Sequence, residues 1–177
     1  IRYMFNQWSD GGARTHEYTV PAEDELVTAA FDTLYKLTLE ADIGEVSDDS
    51  EKGDSWYYAG SEATFWIDSL NQYIAPGIRN HFKGWTGIGG ENAYTGTDSV
   101  HTVTMDYPIT QRADNWQRQY YLSMTSFPEE GGSTYPESPG KWYDQGSEET
   151  IYPISSPNYM FREWTGDATT ENDTIQV

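Results

Sequence analysis

Apolar and polar residues alternate along several short stretches of this chain. In "EATFWID" Ala63, Phe65 and Ile67 fall on one face, in "HTVTMD" Val103 and Met105 do, and in "YKLTLE" Leu37 and Leu39 do. A side-chain period of two is that of a half-buried strand. Turn-forming clusters punctuate these stretches: "SDGG", "SDDSEKGDS", "TGIGGENAYTG" and "PEEGGSTYPESPG". The pattern predicts an all-β chain of short strands. One segment competes with that expectation. "PAEDELVTAAFDTLYKLTLEAD", over 21–42, has Pro21 where a first helical residue would stand. It has acids in the first turn, and Leu26, Ala29, Ala30, Leu34 and Leu37 at helical spacing. A related segment, "MDYPITQRADNWQRQYYLSMTS", is interrupted by Pro108 and ends in β-formers. Two strands joined near Asp32 are therefore expected here instead of a helix.

That relation is part of an internal repeat. "FNQWSDGG", "FKGWTGIGG" and "FREWTGD" each spell F-x-x-W-[ST], with Trp8, Trp85 and Trp164 spaced by 77 and 79 residues. Even spacing of this kind marks a repeated module. The flanks agree. Tyr35, Leu37 and Leu39 match Tyr120, Leu122 and Met124 at an offset of 85. Trp56-Tyr57-x-x-Gly60-Ser61-Glu62-x-Thr64 matches Trp142-Tyr143-x-x-Gly146-Ser147-Glu148-x-Thr150 at 86. "YTVPAEDELVTAAF" (18–31) parallels "HTVTMDYPITQRADNW" (101–116). The expected organisation is the C-terminal half of a repeat over 1–33, a complete repeat over 34–117 and the N-terminal part of a further repeat over 118–177. Such a chain is expected to be a piece of a longer array. In a regular strand, Phe and Trp three positions apart point to opposite faces. One is expected to fill a module core and the other to cover an edge or a joint. Phe5, Trp8, Trp56, Phe82, Trp85, Trp142, Phe161 and Trp164 are thus read as structural.

The ordered set aromatic-x-L-x-[LM], glycine-rich turn, W-Y-x-x-G-[ST]-x-x-T, F-x-x-W-[ST] and T-V-T-M resembles the divergent internalin B-repeat family. That family occurs in tandem on bacterial and archaeal surface and secreted proteins. The resemblance covers nearly the whole chain. It departs at Trp8-Ser9-Asp10-Gly11, at Trp85-Thr86-Gly87-Ile88, and in the inserted "NQYIAPGIRN" before Phe82. It implies tandem small β modules, β-grasp-like or sandwich-like, of roughly 80 residues each. It also implies a stalk, adhesin, filament or surface-lattice (S-layer) role outside the cell or at its surface, and no catalytic residues. The expected partners are neighbouring repeats of the same or identical chains.

Composition narrows the chemistry. The formal charge is −19, from 29 acids against 10 bases. Phosphate neutralisation needs a basic face, so nucleic acid and anionic membrane surfaces are excluded as expected partners. No apolar run is long enough to insert in a membrane. With no cysteine, disulfides and cysteine-ligated zinc are excluded. His16, His81 and His101 lack zinc-type spacing. G-x-S-x-G is missing, and no acid stands out as catalytic among so many. No cofactor is expected, with calcium as the one candidate. The loop "SDDSEKGD" gathers Asp48, Asp49, Glu51 and Asp54 beside Gly53, hard oxygen donors in a flexible turn. Carbohydrate binding is the alternative function, on an aromatic platform including Tyr58 and Trp66, positions that become Asp144 and Tyr152 in the other copy. Asn172-Asp173-Thr174 is a candidate N-glycan site.

Overall fold

The computed structural model describes residues 1–137, 139–167, 172 and 174–176. Among these residues, thirteen strands account for nearly all the regular structure. They are β1 (Arg2–Trp8), β2 (Ala29–Ala41), β3 (Val46–Asp48), β4 (Trp56–Tyr58), β5 (Glu62–Ile67), β6 (Asn71–Ala75) and β7 (Ile78–Ile88). Then follow β8 (Val100–Thr104), β9 (Ile109–Leu122), β10 (Gly132–Tyr135), β11 (Lys141–Asp144), β12 (Thr150–Ser155) and β13 (Ile175–Gln176). Among the described residues there is one 3-10 turn, Glu129–Gly131, and no α-helix. The all-β expectation is borne out.

The chain divides into two compact units, Ile1–Leu70 with Phe82–Trp116, and Asn71–His81 with Gln117–Val177. It passes between them in mid-strand, within β7 and within β9.

In the first unit, β1 and β2 pair antiparallel, β4 pairs with β2, and β2 runs parallel to the start of β9, from Leu37↔Ile109 to Ala41↔Ala113. A second sheet has the order β3-β5-β8. The two sheets share one core. Leu37, Phe82, Trp85, Ile109 and Ala113 come from the first, and Ala63, Phe65, Ile67 and Val103 from the second. The alternation read in "EATFWID" is the inward face of β5, and Met105 is fully buried beside it. Burying each large side chain contributes about 1.5–3 kcal/mol. The loop after β7 is pinned to this core. Trp85 N bonds Gly96 O at 2.8 Å. The buried Gln111 carboxamide donates to Tyr94 O at 2.8 Å and accepts from Tyr94 N at 2.7 Å.

In the second unit, β6 and the start of β7 form a hairpin around Pro76-Gly77, with Gly77 at φ 73°, as a type II turn requires. β11 pairs with β9, and the sheet β10-β12-β13 carries the buried Thr134 and Ile151. β13 pairs with β12 (Ile151↔Ile175) as β8 pairs with β5 (Phe65↔His101).

Two expectations about β2 and its flank are corrected. The 21–42 segment is not helical, but neither is it two strands joined near Asp32. Asp32 lies inside β2, opposite Met4, and its carboxylate accepts from Asn6 Nδ2 at 2.9 Å. No glycine or proline breaks the strand there, so β2 runs straight through and changes partner from β1 to β9. Tyr18–Val20 also does not repeat the strand seen at its counterpart. β8 is a strand because β5 pairs with it, and among the described residues no strand pairs with 18–20.

Candidate functional site

The aromatic repeat positions form two equivalent joints, one in each unit. In the first, Tyr35 faces Tyr57 and Lys36 faces Trp56. In the second, Tyr120 faces Tyr143 and Tyr121 faces Trp142. The sequence offsets of 85 and 86 reappear as hydrogen-bond register. The turn that follows is the same in both. Ser61 N and Oγ bond Tyr58 O at 3.0 and 2.8 Å, and Ser147 N and Oγ bond Asp144 O at 3.0 and 2.8 Å. Ala59 N reaches Thr33 O, and Gln145 N reaches Arg118 O, each at 2.8 Å. Gly60 and Gly146 hold φ of 80° and 81°, the left-handed region that glycine enters without a Cβ clash. W-Y-x-x-G-S is the sequence of this strand and turn.

An arginine covers the tryptophan in both joints. Arg2 Cζ lies 4.3 Å from the centre of the Trp56 ring, and Arg79 Cζ lies 4.3 Å from that of Trp142. Trp142 is further flanked by Tyr121 at 5.2 Å and Tyr73 at 5.9 Å. Neither arginine stood out in the sequence, although the signal was there: I-R-x-x-F-x-x-W occurs at 1–8 and again at 78–85.

The F-x-x-W residues themselves do not point to opposite faces. Phe82 and Trp85 are both in the core of the first unit, with ring centres 5.4 Å apart. Phe5 and Trp8 touch at 5.8 Å, and Phe161 and Trp164 at 5.5 Å. The cause in β1 is a bulge. Phe5 pairs with Phe31 and Gln7 with Ala30, leaving Asn6 as an extra residue. One extra residue reverses the alternation, so positions three apart share a side. In β7 burial also changes phase, at Gly84-Trp85, where a Cβ on Gly84 would stand 2.5 Å from Gly96 O. The indole N–H of Trp8 donates to Arg14 O at 3.2 Å and that of Trp85 to Asp98 O at 2.9 Å. That of Trp164 is buried without a partner among the described residues. Trp85 is 2% exposed, while Trp8, Trp56, Trp142 and Trp164 are half-buried.

The acidic loop is knitted inward. The Tyr57 hydroxyl donates to Asp48 Oδ1 at 2.9 Å and is shared with Asp49 Oδ1 at 2.8 Å. Asp48 also accepts from Ser50 N and Ser55 Oγ, and Asp49 from Thr64 N. Burial alone would raise the Asp48 carboxyl, but bonds from Ser50, Ser55 and Tyr57 outweigh it and hold its pKa below the ordinary value. Asp54 accepts from Trp56 N and pairs with Arg2 at 3.6 Å, and Glu51 is exposed. Among the described residues, no three metal-binding side chains converge.

The two candidate platform residues lie on different strands. Tyr58, 48% exposed, is on β4, and Trp66, half-buried, is on β5 between Ser47 and Val100. The histidines have local partners: His16 with Asp10 at 2.8 Å, His81 with Asn71 at 2.8 Å, and His101 stacked on Tyr94 at 3.5 Å. Asn172 is exposed, while Asp173 of its sequon lies outside the described residues.

This geometry is that of a repeated, strand-built structural module. Residues 122–177 match the family model of the divergent InlB B-repeat domain, a surface repeat, and that segment contains the second W-Y strand with its turn and the third F-x-x-W. No curated protein and no solved structure matches the chain. Among the described residues no helix is long and apolar enough to cross a membrane.

Proposed function

We propose that this chain is a non-enzymatic structural segment of an extracellular repeat protein, serving as a stalk, adhesin or surface-lattice component. The observation that supports this most is the recurrence of one hairpin register and one turn at a fixed sequence offset. The residues that recur do so because they pack and hydrogen-bond. Stability in such an array comes from neighbouring repeats. The partners are therefore further copies of the same module. The surface assignment follows the family match at 122–177.

Concatemers of the chain test this reading by small-angle scattering. Particle length should grow by a constant increment per added copy. Growth only as the cube root of mass, as for a collapsed globule, would sink it. Electron microscopy of the 20.1 kDa chain, with and without calcium, separates a passive spacer from an assembling subunit. Carbohydrate binding is the second reading, favoured by the exposed ring of Tyr58. Loss of tyrosine and tryptophan fluorescence quenching by oligosaccharides in Tyr58→Ala would support it, and no quenching in the parent chain would remove it.

A further inference from the structure

We propose that the arginine three residues before the phenylalanine of the first two F-x-x-W copies, where the third has Asn158, is the element by which one repeat engages the next, and that its partner is the W-Y strand of the following repeat. The proposal rests on reading the chain as an array and names the contact that joins its members.

Two offsets carry it. Arg2 and Arg79 are 77 residues apart, the spacing of Phe5 and Phe82 and of Trp8 and Trp85. Trp56 and Trp142 are 86 apart, the spacing of the W-Y strands. Each arginine therefore reaches forward over a different length of chain, 54 residues in the first joint and 63 in the second. Both arrive 4.3 Å from the ring centre. Loops of unequal length that end in one contact distance point to the contact as the constraint, with the loops adjusting to it.

The chemistry suits arginine specifically. A planar guanidinium covers an indole face while its in-plane N–H groups remain free for an acceptor. Arg79 Nε donates to Gln119 Oε1 at 2.7 Å, and Arg2 pairs with Asp54. The ring-to-cation attraction strengthens as water is excluded. The Arg2 side chain is 50% exposed, whereas Arg79 is half-buried over a tryptophan flanked by two tyrosines. The second joint is accordingly the stronger.

The contact also explains why the compact units do not coincide with the sequence repeats. The hairpin Asn71–His81 precedes Phe82 in sequence, yet it belongs with Gln117–Val177. It brings Arg79 to Trp142, and Gly77 O accepts from Tyr121 N at 2.9 Å.

The full chain labelled with 5-fluorotryptophan offers seven resonances, assignable by single Trp→Phe replacements. Arg79→Met keeps the apolar stem and removes the charge. It should move the Trp142 resonance and leave that of Trp56 in place, and Arg2→Met should do the reverse. Arg79→Met should also lower hydrogen-exchange protection of the Tyr121 amide about tenfold. Trp142→Leu added to Arg79→Met should cost less than about twofold more, because the shared contact is already lost. Arg79→Lys, which retains charge but not the planar stack, should fall between parent and Met, and it gives the readout if Met prevents folding. Unchanged protection in these variants, or losses from Arg79 and Trp142 that multiply independently, would overturn the joint. Neither result would alter the length increment of concatemers, which tests the array itself.

Discussion

The hairpin of β2 with β4 and the hairpin of β9 with β11 have the same register and different fillings. Leu34 faces Tyr58 in the first, where the second has Gln119 facing Asp144, with Gln119 Nε2 donating to Asp144 Oδ1 at 2.7 Å. The tyrosine beside the tryptophan differs more. Tyr57 donates to Asp48 and Asp49, whereas the Tyr143 hydroxyl is buried without a partner among the described residues. The acids that serve Tyr57 come from the end of β3 and the residue after it, and the "PEEGGSTYPESPG" segment of the other copy does not reproduce them. Backbone register is thus held by the W-Y strand and its G-S turn. The polar partners belong to variable loops, and a repeat can lose them while keeping its place. A buried hydroxyl with no partner costs about 1–3 kcal/mol.

The largest expected contrast is between copies of one tryptophan. Trp85→Ala should cost about 3–5 kcal/mol in a chemical melt, since it empties a closed core. Trp8→Ala, at a half-buried site, should cost about half as much or less. Equal losses would mean that F-x-x-W packing is equivalent in both copies. Next come the tyrosines, where the sign itself is at stake. Tyr57→Phe should lose about 1–3 kcal/mol, because two carboxylates lose their shared donor. Tyr143→Phe should be neutral or slightly stabilising, because it removes an unpaired hydroxyl. A comparable loss at Tyr143 would reveal a partner for its hydroxyl. A third test exchanges the fillings. Gln119→Leu alone strips a partner from Arg79 and from Asp144 and should cost about 1–2 kcal/mol. Adding Asp144→Tyr, which copies the first joint, should recover part of that loss. Strict additivity would deny that the pair acts together.

The smallest effect is set by acid. The Asp48 pKa is depressed in the folded chain, so its contribution is present above the unfolded value of about 3.9. It is lost as pH falls through the folded value. Exchange protection at the Ser50 amide, which bonds Asp48, should therefore drop as pH falls below about 4. Asp48→Asn should remove the Asp48 part of that pH step. A step of unchanged size in Asp48→Asn would place the acid sensitivity elsewhere.

Much of this was legible in the chain. The alternation in "EATFWID" gave the inward face of β5, and the matched W-Y segments marked two copies of one local structure, though not the strands they pair with. Other features were hidden for physical reasons. A period of two says which side chains share a face but not which strand lies alongside, so the parallel pairing of β2 with β9 left no mark. A joint near Asp32 was expected because Pro108 interrupts the related segment, yet β2 has no such breaker and Asn6 across the ladder bonds the Asp32 carboxylate. The arginines escaped notice because Trp56 and Trp142 lie far from them in sequence. Their bearing on function appears only when two repeats are superposed at two different offsets.

The bulge at Asn6 has a consequence best put in terms of a reading frame. A strand is read in twos, inward and outward, and one inserted residue shifts that frame. Up to Phe5 the strand is read in one frame and from Gln7 onward in the other, so the aromatics at 5 and 8 become neighbours. Deleting Asn6 would restore the frame and send Trp8 to the wrong face without changing a single remaining letter. An aromatic pair spaced by three inside an alternating segment is then a written frameshift. It can be sought in other chains by spacing alone.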